Sequence, residues 1–286
     1  LELGLSEASV TQRLRAGFIR NVRESSGLIR LDLSVPVPFS FLPGQFAMVN
    51  LAGPAAFVFG RPLSILAATG TTVSFLYRVV GRGTEALASL EPGQELTLLG
   101  PLGCPFPEPR KLTRRPVVLV AGGVGLPPLH NWLVRYGQPD DLGFFGGRDG
   151  GDIPWRLLAR RWQVSVDRAV EVPPAESARQ GLVTELLAGH PDLQEGKPRT
   201  VLSCGPVPLL KAVASWAADR NWPCFVSLEE HMGCGYGVCK GCVVPVKEER
   251  LPGWRNATCC EEGPVFPASA ICWDRYGAPE IAEGKP

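Results

Sequence analysis

The chain has 286 residues, length enough for two or three domains with cores of their own. A formal net charge of +1 leaves no electrostatic case for binding nucleic acid or an anionic membrane. The longest apolar run, Val117 to Leu129, is interrupted by glycines and two prolines and falls short of membrane-spanning length.

The opening residues, Leu1-Glu2-Leu3-Gly4-Leu5, carry no basic stretch followed by an apolar core, so no secretory signal is visible. A first residue other than methionine leaves room for a longer natural start. Nine cysteines is an odd number, and five of them fall between residues 234 and 260. That distribution suits a reduced cytoplasm and a metal centre better than a disulfide framework, so a cytoplasmic location is expected. The 33 glycines and 28 prolines are interleaved with apolar runs and read as tight turns.

Residues 1–105 read as an antiparallel β-barrel. Phe18 to Val22 has strand character and runs into a turn at Glu24-Ser25-Ser26-Gly27. Ile29, Leu31, Leu33 and Val35 alternate with Arg30, Asp32 and Ser34, the period of a half-buried strand. Pro43-Gly44 opens a run from Gln45 to Leu51, Val73, Phe75, Tyr77 and Val79 alternate again, and Pro92-Gly93 precedes Leu96 to Leu99. Short strands separated by turn signals argue for a barrel.

Within this region stands Arg61-Pro62-Leu63-Ser64. A guanidinium fork suits a pyrophosphate, and a hydroxyl three residues on can reach a flavin ring nitrogen. The tetrapeptide alone is weak, but it gains specificity beside Tyr77-Arg78-Val79-Val80 and the turn Gly81-Arg82-Gly83-Thr84. That turn offers N–H groups and a hydroxyl to phosphate, at the start of a helix through Glu85 to Leu90. The set resembles the flavin domain of the ferredoxin–NADP reductase superfamily. The resemblance implies that Arg61 and Thr84 hold an FAD pyrophosphate, with Pro62, Leu63 and Gly83 of the same motifs as further cofactor-binding positions. It also implies that Ser64 faces the isoalloxazine and that Tyr77, Arg78 and Val79 line its edge. The plainer alternative makes Tyr77 and Val79 ordinary barrel residues.

Residues 106–222 read as an α/β domain with a parallel sheet, entered through a proline-rich hinge from Pro101 to Pro109. Val117 to Val120 is a buried strand that ends in Gly122-Gly123-Val124-Gly125, and a helix from about Pro128 to Arg135 follows. Strand, glycine loop and helix present N–H groups to a dinucleotide phosphate, which makes Gly122, Gly123 and Gly125 candidate contacts of a nicotinamide nucleotide. The loop is not G-x-G-x-x-G. Further strands are expected at Leu142–Phe145, Gln163–Val166 and Thr200–Ser203, and helices at Ile153–Arg161, Leu182–Ala188 and Val207–Arg220. In the last helix Leu209, Val213, Trp216 and Arg220 share a face, which makes Trp216 a core residue. Cys204-Gly205-Pro206 stands at the carboxyl end of the last strand, where such sheets bind ligands. The reductase superfamily carries a Cys-Gly-Pro there, and the resemblance places Cys204 beside the nicotinamide and flavin as a catalytic residue. A small buried hydrophobe is the alternative. After Phe144-Phe145, Arg148 suits a 2′-phosphate and Asp149 a ribose hydroxyl, two opposing signals for NADP and NAD.

Residues 223–286 carry the most specific signal. Cys234-Gly-Tyr-Gly-Val-Cys239-Lys-Gly-Cys242, with Cys259 and Cys260 further on, matches the plant-type [2Fe–2S] spacing C-x4-C-x2-C…C. Gly233, Gly235, Gly237 and Gly241 supply positions where the backbone can approach sulfur closely and take positive φ. Zinc is the alternative, but it favours paired C-x2-C knuckles or histidine, and only one knuckle is present. Cys104 and Cys224 read as structural, Cys272 has no assignment, and His231 and Lys240 read as solvated surface.

Barrel, nicotinamide domain and cluster segment in this order resemble the electron-transfer subunit of heteromeric, NAD-linked dihydroorotate dehydrogenases over nearly the whole chain. The likeness rests most on Gly122 to Pro128, on Ser227-Leu-Glu-Glu-His-Met-Gly-Cys234 and on Gly263-Pro264-Val265-Phe266. In that family the last ligand directly precedes x-x-Gly-Pro-Val-Phe, which selects Cys260 over its neighbour Cys259 and gives Cys234, Cys239, Cys242 and Cys260. The resemblance further implies FAD, a [2Fe–2S] cluster and NAD, and an FMN-containing catalytic subunit as partner in a heterotetramer. Nicotinamides move electrons in pairs and clusters singly, so the FAD must lie between them. Rival readings are an NAD(P)H–ferredoxin oxidoreductase or hydrogenase diaphorase subunit, and a zinc-stabilised binding module without redox chemistry.

Overall fold

The computed structural model describes residues 10–51, 59–112, 115–158, 161–168, 178–194, 197–250 and 253–277. Six strands close a barrel: β1 (Gln12–Arg23), β2 (Ile29–Ser34), β3 (Phe46–Leu51), β4 (Arg61–Thr69), β5 (Thr72–Tyr77) and β6 (Glu95–Leu102), in the order β1-β2-β5-β4-β3-β6. Alternation builds it: Leu31 faces Phe75 and Leu33 faces Val73 across β2 and β5, all four fully buried. Closure leaves no free sheet edge. The Arg61-Pro62-Leu63-Ser64 motif begins β4, a strand that the sequence reading did not anticipate. Helix α1 (Arg82–Ala88) caps the barrel and begins three residues earlier than expected, because the Thr84 hydroxyl folds back on the N–H groups of Val80 and Gly81.

Asp32 departs from the expected alternation. It is buried, held by Arg20 at 2.8 Å, Arg30 at 3.0 Å and the Ser74 hydroxyl at 2.7 Å. Burial alone would push its carboxyl up, but hydrogen bonds from Arg20, Ser74 and Arg30 outweigh it and hold the carboxyl below the usual range. A depressed folded-state pKa gives stability that is present above the unfolded value and lost as pH falls through the folded one. Asp32→Asn is therefore expected to cost about 1.5–3 kcal/mol at neutral pH. The gap should close as unfolding is measured at pH values below the normal carboxylate range. A gap that persists unchanged into strong acid would show that packing, not charge, is lost.

The second sheet has seven strands, ordered β10-β9-β8-β7-β11-β12-β15. They are β7 (Val117–Gly122), β8 (Leu142–Gly147), β9 (Trp162–Val166), β10 (Ala178–Gln180), β11 (Thr200–Cys204), β12 (Cys224–Ser227) and β15 (Val265–Pro267), all parallel except β15. All six residues of β7 are buried, as a central parallel strand covered on both faces requires. Four helices flank it: α2 (Leu126–Tyr136), α3 (Trp155–Leu158), α4 (Val183–Ala188) and α5 (Val207–Ala218). Of the helix expected over Ile153–Arg161, residues 159–160 lie outside the described residues. In α5 the buried face is Leu210, Val213, Ala214 and Ala217, one residue round from the expected face. Trp216 is half-buried at its edge, between the Arg220 guanidinium and the Trp222 ring.

The chain after residue 222 stays in this sheet, adding β12 and, after the hairpin β13 (Val243–Lys247) and β14 (Trp254–Thr258), β15. Barrel and sheet share one apolar core, in which Leu28, Leu66 and Leu76 meet Leu126, Leu129 and Trp132 of α2. Among the described residues no helix is long and apolar enough to cross a membrane.

Candidate functional site

From β7 the chain builds β8, β9 and β10 on one side of the sheet, then crosses to β11 and β12 on the other. Ligands bind at such a reversal, outside the carboxyl ends of the strands. Both expected glycine loops lie there, one after β7 and one after β11. They touch: a Cβ on Gly125 would fall 2.3 Å from the Cys204 carbonyl oxygen and 2.7 Å from the Gly205 nitrogen. Gly125 is thus a packing residue beneath the loop. Gly122, Gly123, Gly205 and Pro206 line a cleft of about 570 Å³ in front of it. Arg148 lines the same cleft, whereas Asp149 is not among its wall residues. Of the acids that line it, Asp152, Asp167 and Glu229, Asp167 directly follows β9, and its N–H donates to the Gly147 carbonyl.

A second cleft of about 600 Å³ lies between barrel and sheet. It gathers Arg61, Pro62, Leu63, Ser64, Tyr77, Arg78 and Thr84 from the barrel with Cys204 from β11. Gly83 lies behind it, where a Cβ would strike the Arg61 guanidinium at 2.0 to 2.4 Å, so only a glycine leaves that arginine its place. Tyr77 is fully buried in the barrel and reaches the cleft from inside, its hydroxyl donating to Asn21 Oδ1. Val79 is 40% exposed and belongs to neither cleft wall.

The two clefts meet. Arg78, Val124 and Glu229 line both. Arg78 pairs with Asp152 at 3.0 Å across the barrel–sheet junction, and beside it Ser26 donates to the Gly151 carbonyl. Glu229 is exposed to the clefts, and desolvation by their walls pushes its carboxyl up. Cys204 is 2% exposed; burial, then the nearby Glu229 charge, raises its thiol far above neutrality despite a hydrogen bond from Ser227. Cys204 is a neutral thiol here, fit to pack against a ring and unfit to act as a thiolate nucleophile.

The cysteine loop follows β12. Its N–H groups point at sulfur: Gly237 donates to Cys260 Sγ at 3.1 Å, Cys239 to Cys234 Sγ at 3.4 Å, and Cys260 to Cys242 Sγ at 3.4 Å. Burial pushes the Cys234 thiol up, but N–H groups of Cys239, Tyr236 and Val238 bring it down to about 6. Cys260, by contrast, is pushed up to about 12 by burial and by Cys242. Of the adjacent pair only Cys260 faces the loop, since Cys259 is fully buried and its thiol points at the Leu228 carbonyl. Among the described residues no three Cys, His, Asp or Glu side chains converge on a single ion position. A two-iron cluster takes two thiolates at each iron, and the four sulfurs, three of them met by N–H donors, are a donor set that fits it.

One expectation about this loop changes: positive φ falls at Gly235, Gly237 and Lys240, and at neither Gly233 nor Gly241. Lys240 is exposed, as expected, and on that surface its ammonium pairs with Glu261, next to Cys260. The sequence reading also missed Glu229, Asp167 and Asp152. The first two follow the last residues of strands in the sheet, which is the signal that finds them once β12 and β9 are aligned.

The chain has a ferredoxin–NADP reductase-like fold. It superposes on an NADH-dependent reduced ferredoxin–NADP oxidoreductase with TM-score 0.72 and 21% identity, over 95% of this chain and 92% of that one. The Amycolatopsis cytochrome P450 reductase GcoB matches with TM-score 0.62 and 23% identity, over 74% and 67%. Residues 229–272 match the iron-sulfur cluster binding domain of dihydroorotate dehydrogenase B. The dihydroorotate dehydrogenase B (NAD(+)) electron transfer subunit of Shouchella clausii (strain KSM-K16) is 34% identical over 238 residues, 80% of this chain and 86% of that protein. Its counterpart in Desulforamulus reducens (strain ATCC BAA-1160 / DSM 100696 / MI-1) is 32% identical, covering 82% and 87%. The chain belongs to the family of dihydroorotate dehydrogenase B (NAD(+)) electron transfer subunits.

Proposed function

We propose that this chain carries electrons between NAD and the FMN-bearing catalytic subunit of a dihydroorotate dehydrogenase, through FAD and a [2Fe–2S] cluster, within a heterotetramer. One observation supports it above the rest: the barrel cleft adjoins the nicotinamide cleft on one side, through Arg78, Val124 and Glu229, and the cysteine loop on the other, through Phe46 and Met232. A site for two-electron chemistry and a site for one-electron chemistry thus share a wall with the same cleft. FAD bound there supplies the conversion between paired and single electrons.

The residues divide the work. Arg61 and the Thr84 turn hold the FAD pyrophosphate, Pro62 and Leu63 shape the wall beside it, and Ser64 and Tyr77 meet the ring. Cys204 packs neutral at the junction, where it excludes water. Gly122, Gly123, Gly205 and Pro206 let the dinucleotide backbone lie close to the sheet, and Asp167 accepts the ribose hydroxyls, which favours NAD over its 2′-phosphate analogue. Arg78 holds barrel and sheet together through Asp152. Cys234, Cys239, Cys242 and Cys260 hold the cluster.

The isolated chain is expected to reduce a dye with NADH, and to leave dihydroorotate untouched with any acceptor. Adding the catalytic subunit should make dihydroorotate reduce NAD. Dihydroorotate oxidation by the chain alone would overturn the reading, as would a visible spectrum without flavin and cluster bands.

A further inference from the structure

The barrel strand paired with the flavin motif also carries the cysteine loop on its outer face. Along β3, Ala47 and Val49 point into the barrel core. Phe46 and Met48, 4% and 2% exposed, point outward into the apolar cluster that holds Cys242 and Cys260, with Met232 packed against it. In register, Phe46 lies opposite Ser64 and Met48 opposite Pro62. Phe46 and Met232 also line the flavin cleft. From the far side Gly235 presses on Met48: its φ is 82°, and a Cβ there would fall 2.4 Å from Met48 Cγ and 2.6 Å from its Sδ. The chain has two methionines in all, and both stand at this seam.

We propose that Phe46, Met48 and Met232 form a dry seam that holds the cysteine loop at a set depth against the flavin site, and that single electrons cross it. The inference rests on reading the chain as a flavin–cluster relay. Electron transfer between fixed centres weakens steeply as they separate or as water enters the gap, so the packing of this wall sets the coupling. Methionine's long, flexible side chain fills an irregular gap, and its volume is what keeps the seam closed. Because Gly235 has no Cβ, the loop settles directly on the Met48 thioether, which makes Met48 a positioning residue. Each crossing moves one electron: the flavin loses it, one ferric ion of the cluster becomes ferrous, no bond forms or breaks, and no proton crosses the seam. The flavin's proton exchanges with solvent through its own cleft.

The test uses the full chain with FAD, iron and sulfide quantified. NADH is mixed anaerobically, flavin and cluster bleaching are followed separately, and loss of the cluster to a ferrous chelator is timed. Met48→Ala removes most of the filling, and such truncations loosen what packs above them. Its flavin content and flavin reduction rate should match wild type. Cluster reduction should slow by about tenfold, and chelator loss should quicken by about tenfold, through local opening. Met48→Leu keeps the volume and should stay within about twofold of wild type on both readouts. Both rates unchanged in Met48→Ala, on a wild type that holds both cofactors, overturn the seam alone. Met48→Leu as impaired as Met48→Ala, with FAD intact, also overturns it, because the sulfur and not the packing would then matter. A wild type without flavin or cluster overturns the relay reading and the seam with it.

Discussion

Serine in place of Cys234, Cys239, Cys242 or Cys260 is expected to strip the cluster, leave the FAD, and reduce coupled turnover with the catalytic subunit by at least about a hundredfold, the scale reached when a group acting only in the reaction is removed. The reason lies in the donor set. Thiolate is the ligand that iron–sulfur clusters require, and a serine hydroxyl neither ionises comparably nor matches sulfur's softness. Three of the four sulfurs already accept N–H bonds, so the backbone donors are set around thiolate positions that a shorter serine side chain does not reach. The barrel has a core cluster of its own strands, the loop after β2 and α1, which contains none of the cysteines, so flavin binding and NADH-driven dye reduction should survive. Cys259→Ser should behave as wild type, since that thiol faces the Leu228 carbonyl. Iron content, visible absorbance and the two activities decide it. Coupled turnover in a variant verified to be cluster-free would refute the relay. A colourless Cys259→Ser beside a coloured Cys260→Ser would reverse the fourth ligand.

Gly125→Ala should be the most damaging single change in the nicotinamide half. Its new methyl would meet backbone, the Cys204 carbonyl group at 2.3 to 2.4 Å, and backbone cannot step aside as a flexible side chain does. Relief requires the two glycine loops to part. That overpacking should cost roughly 3 kcal/mol of stability. The displacement should lower NADH oxidation by about a hundredfold, the scale expected for a shift near 1 Å at a positioning contact. Flavin should still bind, because Arg61, Ser64 and Thr84 come from the barrel, although Cys204 also lines that cleft. Gly123→Ala is the control for stability: its φ of 54° lies in the left-handed region, but a Cβ there meets nothing within 4 Å. It should cost only about 1–2 kcal/mol of backbone strain and leave the loops in place. Equal loss of stability from both alanines would show that backbone conformation, not the contact between the loops, sets the cost. Thermal unfolding of the two variants separates the cases.

The sequence by itself determined what depends on local pattern and on spacing. Period-two alternation in residues 29–35 and 73–79 defined barrel strands, because one face of a strand must be apolar. The strand–glycine–helix passage around Gly122 and the spacing from Cys234 to Cys242 were legible for the same reason, since each is one short piece of backbone that must wrap or approach a single group. What only the tertiary structure decided are relations between segments distant in sequence. Strands β12 and β15 read as part of a separate segment because each is too short to show a period, and sheet pairing alone placed them beside β11. With β12 in the sheet, Glu229 stands at a strand's carboxyl end and touches both clefts. Asp32 broke its own alternation because its partners, Arg20 and Ser74, come from two other strands. Cys259 and Cys260 are neighbours with the same chemistry, and their opposite environments come from the wall beneath them: one side chain meets the Leu228 carbonyl, the other the Gly237 N–H. Contacts of that kind exist only after the chain has closed on itself, so no window of sequence contains them.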